Sequence, residues 1–375
     1  MDAISRVHQG GIILFLNKIL RSPSRLGALT AILPCFLAAG ASDIYSNGAG
    51  GPCGQTISAV NFPQYSLRFQ MDGLQVASLE DSTKSTGATL FYFPSGAEVS
   101  FDTRGGSVAS AETTLLEQGS YSNQVDGILF AGGSTMGLEA GDGVRRVIYR
   151  NRAGRGAHFD SIPSVPTAAV YDFGGRIHDG ADHLVFPTRE LGENLMEHLG
   201  NTFMMGRAGA GVCTTCNKSG IESFGGQGAS FQRYDWGSVF TAVVVNASGN
   251  ILQNGKTIIS ASPLARNSPS SAPRPKQNTT LSFLVTDVLL DRDQLKRLAI
   301  SVHSGMARTI DPFHTPWDGD ILFVASLRNF HDRSKPSDLQ NSELLTLIQA
   351  GSKQMEQSIY RAVYIANENS ERSRR

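Results

Sequence analysis

Asn278-Thr279-Thr280 stands where a stretch crowded with proline and serine gives way to a strand-like apolar run. A threonine at such a junction can do one particular chemistry. If the chain breaks between Asn278 and Thr279, Thr279 becomes a new N-terminus. Its hydroxyl then has its own α-amino group beside it as a base, an established way to activate a threonine nucleophile. Breaking that bond needs the Thr279 hydroxyl to attack the carbonyl of Asn278, giving an ester that water opens. The freed α-amino group, with a reference pKa of about 8, can take the hydroxyl proton near neutral pH.

Other residues could assist, and each also has a plainer reading. His314-Thr315-Pro316-Trp317-Asp318-Gly319-Asp320 brings two carboxylates together, yet aspartate and glycine are default turn residues. Lys218 lies in a loop rich in Gly, Thr and Ser and reads alone as a surface lysine. Asn246 ends a β-branched run and reads alone as a turn former. His303 and His314 read as structural histidines satisfied by carbonyls or carboxylates. The G-x-S-x-G elbow of the α/β-hydrolases is missing. So are the Walker A lysine motif and H-E-x-x-H, and Gly209-Ala210-Gly211 lacks the third glycine of a dinucleotide fingerprint. Cys213-Thr214-Thr215-Cys216 is a lone C-x-x-C, so two small buried thiols are expected there.

The elements that must hold these residues follow from periodicity. Alternation predicts a strand over 74–79, and a hairpin is expected from 88–93 and 97–102 around Pro94-Ser95-Gly96. Further strands are expected over 125–131, 165–173, 241–246, 281–290 and 321–326. Leu138, Val144, Val147 and Ile148 share a helical face, and 189–198 is helical in composition. Asp291 with Gln294 three residues on forms a capping box for a helix striped by Leu295, Leu298, Ala299, Val302 and Met306. Leu344, Leu347, Ile348, Met355, Ile359 and Val363 stripe a C-terminal helix, followed by a polar tail over 367–375. Residues 251–278 have linker composition. Clustered strands with helices grouped between them predict layered sheets flanked by helices rather than a doubly wound Rossmann sheet.

Taken together, the segments resemble the self-cleaving N-terminal-nucleophile peptidases typified by D-aminopeptidase and the β-peptidyl aminopeptidases. The wording is closest to the 6-aminohexanoate-oligomer hydrolase branch. The resemblance is carried by Ser85-Thr86-Gly87-Ala88-Thr89, Asp102-Thr103-Arg104-Gly105-Gly106 and Ala131-Gly132-Gly133-Ser134-Thr135-Met136-Gly137-Leu138-Glu139-Ala140-Gly141. It continues in 169–173, 206–211, 226–231, Asn278-Thr279-Thr280, Val302-His303-Ser304, and 312–315 with Asp318-Gly319-Asp320. It implies an α/β fold of four layers, αββα, with two sheets between helical layers. It implies Thr279 as nucleophile after cleavage at Asn278, Lys218 near its hydroxyl, and Asn246 stabilising the oxyanion. Asp318 and Asp320 would orient and charge-balance lysine and nucleophile, Tyr171 would line the site, and Gly133 and Glu139 would bind substrate. No cofactor and no metal are implied. The expected substrate is a peptide-like or oligoamide molecule, and the expected assembly is a homo-oligomer of αβ units. Cys213, Cys216 and Asn217 depart from the small residues usual in that loop, and the linker is shorter than in the nylon-oligomer enzymes. A related-fold acyltransferase like the ornithine acetyltransferases, and a non-catalytic membrane-anchored binding protein, are the competing readings.

The expected organisation is an extension over 1–60, one self-processing domain over 65–366 divided at 278/279, and the tail. Apolar residues make up 40% of the 375, enough for a sizeable core. Charged residues are 18% and balance to zero, which gives no electrostatic case for a nucleic-acid partner. Four cysteines in a chain this long argue against a disulfide scaffold. The apolar run over 26–41, behind Arg21 and Arg25, resembles a signal-peptide core that starts late. Membrane contact is expected only if that run is retained, since a span takes about 20 apolar residues. Residues 1–25 also suit a mitochondrial transit segment. Three N-x-[ST] sequons, at Asn217, Asn246 and Asn278, would place glycans on or beside the candidate site, which favours an intracellular (cytoplasmic) protein over a secreted one.

Overall fold

The computed structural model describes residues 65–82, 85–120, 124–153, 162–173, 184–218, 222–258, 278–327 and 341–372. Nine strands form one hydrogen-bonded network. They are β2 (Gln75–Glu80), β3 (Gly87–Thr103), β4 (Ala109–Ala111), β5 (Gln124–Ala131), β6 (Thr167–Ala169), β10 (Gln227–Tyr234), β11 (Gly237–Asn246), β14 (Thr279–Thr286) and β16 (Ile321–Ser326). Short pairings stand beside it: β1 (Ser66–Arg68) with β7 (Thr202–Met204), and β8 (Thr215–Cys216) with β9 (Ser223–Phe224). In a third group β12 (Asn250–Gln253) pairs with β13 (Lys256–Thr257) and β15 (Ile310–Asp311). Four α-helices occur among the described residues: α1 (Ala140–Ala153), α2 (Arg189–Leu195), α3 (Arg292–Met306) and α4 (Asn341–Arg372).

β3 turns this network into two sheets. One of its edges carries β5, from Ala88 to Tyr92 and again at Ala97 and Glu98. The other carries β2 along residues 87–92 and β16 along residues 98–103. The first half therefore belongs to the group β2-β3-β5-β6-β4, the second to the group β10-β11-β14-β16-β3. Side-chain alternation follows the same division. Phe91, Phe93, Ala97, Val99 and Phe101 all enter one core. On the opposite face, Ala88 and Leu90 meet α1 and α2 residues Val144, Ile148 and Leu195, whereas the Asp102 carboxylate lies against His303 of α3.

Three apolar clusters thus separate four layers. The middle one joins the facing sides of the sheets through Phe91, Phe130, Phe240, Phe283 and Phe323. A second packs Val243, Leu284, Leu322 and Val324 against Leu298, Val302, Met355 and Ile359 of α3 and α4. The third lies between β3, β5 and the α1/α2 pair. This is the expected αββα sandwich.

Several local expectations were changed by tertiary pairing. Pro94-Ser95-Gly96 does not reverse the chain. Tyr92 pairs with Gly127 and Ala97 with Val125, so the turn residues bulge out of one continuous strand. Proline, serine and glycine serve a bulge as well as a hairpin, and β5 running past both halves decides the outcome. Over 165–173 only Thr167–Ala169 is ladder-paired strand. The 251–278 stretch opens with the β12–β13 pair, whose Ile251 is fully buried. Its remainder, 259–277, lies outside the described residues, as do 1–60. The helix α4 runs on to Arg372 instead of ending before Asn367. The Asn367 amide is bonded to both the N–H and the C=O of Phe224, which ties this turn of the helix to β9. The Asp291–Gln294 capping box forms in both directions.

Phe283 is fully buried at the centre of the inter-sheet core, 4.5 Å from Phe91 between ring centroids. Truncating a buried phenylalanine costs about 3–5 kcal/mol. Phe283→Ala should lower unfolding stability by that order in urea titrations. A loss below about 1 kcal/mol would mean that the two sheets are not held together through this residue.

Candidate active site

Three central strands end at one place. β11 and β14 are antiparallel with Asn246 opposite Thr279, so the last residue of one meets the first of the other. β14 and β16 are parallel, with Leu281 opposite Ile321. The turn that feeds β16 therefore arrives level with the start of β14, and Asn278 makes a parallel bridge to Asp318. Asn278 and Thr279 are buried there.

The bond between them is closely held. Asn278 donates its N–H to Trp317 O at 3.1 Å. Its carbonyl accepts the N–H of Gly319 at 2.7 Å. The same carbonyl accepts the Thr279 hydroxyl at 2.5 Å. Gly319 permits this approach, because a Cβ built on it would lie 2.8 Å from Thr279 Oγ1. The turn is clamped from the far side by the end of β3. Ser107 N–H donates to Asp318 O at 2.9 Å and Arg104 N–H to Asp320 O at 3.2 Å. A Cβ at Gly105 would meet Asp318 O at 2.2 Å, so backbone must pack on backbone here.

The carboxylates have separate tasks. Asp320 accepts Thr280 N–H at 2.7 Å, one residue beyond the candidate nucleophile. Its other oxygen accepts the His314 N–H at 3.1 Å and faces His314 Nδ1 at 3.0 Å. Asp318 accepts Thr315 N–H at 2.9 Å. Burial pushes the Asp318 carboxyl above the usual carboxylate range, and the neighbouring Asp320 pushes it the same way. Beneath the turn, the His314 ring meets the His303 ring edge-on, 4.5 Å between centroids. His303 Nδ1 lies 2.9 Å from Asp102 Oδ2, and Arg104 Nε bonds the same oxygen at 2.6 Å. Burial pushes Asp102 upward, but its bonds to His303 and Arg104 outweigh that and hold it below the usual range. Burial holds His303 below the usual imidazole range, against the pull of Asp102. Each histidine meets a carboxylate through Nδ1, in line with its plain reading, while its buried Nε2 has no hydrogen-bond partner among the described residues.

Lys218 and Asn246 form one unit. Lys218 Nζ donates to the main-chain O and to Oδ1 of Asn246, each at 3.0 Å. Asn246 Oδ1 also accepts Thr215 N–H at 3.1 Å. Asn246 Nδ2 donates to Tyr171 O at 2.8 Å. This amide is thus engaged with Tyr171, and the donors on the Asn278 carbonyl are the Gly319 N–H and the Thr279 hydroxyl. Tyr171 takes part through its backbone, while its ring packs edge-on against Phe173, 5.0 Å between centroids. Asp172 anchors the same segment by accepting the Thr86 hydroxyl at 2.8 Å and Gly133 N–H at 2.9 Å. Gly133 is thereby tied to Asp172, the neighbour in sequence of Tyr171. The Glu139 carboxylate accepts Arg189 N–H at 3.0 Å, at the start of α2.

Asn217 positions the lysine. It adopts φ 57°, a left-handed backbone that asparagine tolerates. Its buried amide accepts Ile251 N–H at 2.8 Å and donates to Ile258 O at 2.9 Å. Cys213 and Cys216 are buried and form no disulfide, and burial pushes the Cys216 thiol up to about 12. Among the described residues no three His, Cys, Asp or Glu side chains gather to hold a metal ion.

The layered fold is that of the N-terminal-nucleophile hydrolases, and membership of a peptidase family makes the chain an amide-bond hydrolase. The profile of peptidase family S58 matches residues 71–375, and the chain belongs to that family. It is 34% identical over 278 residues to a 6-aminohexanoate-oligomer endohydrolase of Kocuria sp. (strain KY2), covering 69% of this chain and 74% of the relative. It is 32% identical over 258 residues to an uncharacterized aminopeptidase of Mycobacterium bovis, covering 64% and 72%. Among solved structures it resembles the L-aminopeptidase D-Ala-esterase/amidase of Ochrobactrum anthropi, described as a variant of the Ntn hydrolase fold. That match has TM-score 0.59 at 19% identity, over 79% of this chain and 85% of the other.

A buried acid held above its ordinary value of 3.8 favours the folded state while it is protonated. Its contribution is full at low pH and is lost as pH rises through the raised value. Asp318→Asn should therefore gain stability relative to the parent between about pH 3.5 and pH 7. Urea midpoints of both chains, compared in a Thr279→Ala background, measure this. A difference that does not change with pH would contradict the buried-acid assignment.

Proposed function

We propose that the chain is a self-processing hydrolase that breaks its own Asn278–Thr279 bond and then uses Thr279 as its nucleophile. The observation that carries this reading is the contact of the Thr279 hydroxyl with the Asn278 carbonyl oxygen, 2.5 Å apart. The Gly319 N–H, at 2.7 Å from the same oxygen, is placed where negative charge develops. Thr279 Oγ attacks the Asn278 carbonyl carbon, the C–N bond breaks, and the nitrogen takes the hydroxyl proton to become the Thr279 α-amine. Water opens the resulting ester to give the Asn278 carboxylate and the free hydroxyl.

In turnover the α-amine accepts the Thr279 proton while Oγ attacks the substrate amide. The leaving amine departs with that proton, and water hydrolyses the acyl ester. Lys218, held on Asn246 directly across from Thr279, keeps a positive charge at the strand end where oxyanion and ester form. The relatives' names support a linear amide, either a peptide or an ω-amino-acid oligomer, as the substrate. The mature form is an α chain ending at Asn278 and a β chain from Thr279, associating as a homo-oligomer of αβ units.

Denaturing electrophoresis with N-terminal sequencing tests the cleavage. The expected small fragment is the 97 residues from Thr279 to Arg375, beginning Thr-Thr-Leu-Ser. Thr279→Ala should remain one chain. A wild-type chain that stays whole under the same conditions sinks the proposal. Gly319→Ala adds a methyl 2.8 Å from the hydroxyl and should slow fragment formation at least about tenfold, a barrier change of about 1.4 kcal/mol. An unchanged rate in that variant would remove Gly319 from the mechanism.

A further inference from the structure

The uncut chain also shows what kind of acyl group the site is built to receive. If Thr279 attacks twice, first its own chain and later a substrate, both carbonyls must reach the same hydroxyl. The first acyl residue is then a template for the second. That residue, Asn278, is held at two points of its backbone: its N–H on Trp317 O at 3.1 Å, and its C=O under Gly319 N–H at 2.7 Å. Together these make a parallel β-bridge to Asp318. The turn carrying them is fixed independently of Asn278, by Ser107 N–H on Asp318 O and Thr315 N–H on the Asp318 carboxylate.

We propose that the slot filled by Asn278 in the uncut chain is the acyl-side subsite of the cleaved enzyme, and that it selects an α-aminoacyl residue. This rests on the reading of Thr279 as nucleophile. Recognition is of the strand-addition kind, with main-chain groups as the determinants. A carbonyl bound under Gly319 N–H presents a donor to Trp317 O only when nitrogen sits on the adjacent carbon. An α-aminoacyl group has it there, whether as a free amine or as an internal peptide N–H. An ω-aminoacyl group has methylenes in that place, with its nitrogen at the far end of the chain. It leaves the Trp317 carbonyl facing hydrocarbon, without the donor that the Asn278 N–H supplies at 3.1 Å, and loses that hydrogen bond. The subsite thereby favours peptides over ω-amino-acid oligomers, a choice that the names of the relatives leave open.

The test uses the cleaved, full-length protein and four 4-nitroanilides: alanyl, N-acetylalanyl, propionyl and 6-aminohexanoyl. Alanyl and N-acetylalanyl distinguish a free amine from a peptide N–H. Propionyl keeps the size and lacks the nitrogen. The better of the two alanyl compounds is expected to exceed both propionyl and 6-aminohexanoyl in kcat/KM by at least tenfold. A smaller ratio, or no turnover of either alanyl compound, overturns the proposal. Fragment formation is checked first on the same preparation. Its absence would remove the nucleophile reading itself, whereas cleavage with a ratio under tenfold would remove only the subsite.

Discussion

The parallel bridge between Asn278 and Asp318 is the constraint on which the rest of the site depends. It exists because β14 and β16 run parallel while β11 runs antiparallel to β14. Only that combination brings two strand beginnings and one strand ending to a single edge of the sheet. The bridge places a backbone amide, Gly319 N–H, on the carbonyl that the neighbouring hydroxyl touches. A backbone donor needs no side-chain ordering, and its geometry is set by the sheet. The layers above and below serve this register. Inter-sheet phenylalanines fix β14 from one face, and the apolar stripes of α3 and α4 fix it from the other.

Charge is managed by division of labour. Two aspartates on either side of one glycine, both buried, cannot be equally charged without help. Asp320 is given three donors, from Thr280 and His314. Asp318 accepts the Thr315 N–H, and burial together with the neighbouring Asp320 shifts it toward its neutral form. The pair Asp102–His303 lies behind His314 and shares the Arg104 guanidinium. These groups keep the turn rigid beneath the Asn278–Thr279 bond, and Lys218 with Asn246 closes the opposite side through a bond network that ends on Tyr171.

The sequence was most readable where burial and local rules agree. The strands over 241–246 and 321–326 are lined on both faces by core, so they appear as unbroken apolar runs. The Asp291–Gln294 cap is a local reciprocal bond and needs no tertiary information. The Pro94-Ser95-Gly96 bulge was unreadable because its chemistry equals that of a turn, and only β5 pairing across it makes the difference. The site was legible as a set of residue types through family resemblance. Its bonding was not. Gly319 acts through its amide and leaves no side-chain signature. Asp102 and His303 are 201 residues apart. Asn246 was expected on the oxyanion, yet its Nδ2 is engaged with a carbonyl that any residue at 171 could supply.

The central claim is that the Thr279 oxygen takes the acyl group of Asn278 before water does. Hydroxylamine intercepts such an ester and leaves a hydroxamate at the new C-terminus. Freshly purified chain should be treated with hydroxylamine and the large fragment examined by mass spectrometry. The account predicts faster cleavage and an Asn278 hydroxamate, with neither seen in Thr279→Ala. A large fragment ending only in the Asn278 carboxylate at an unchanged rate, or a chain that stays whole, would contradict it.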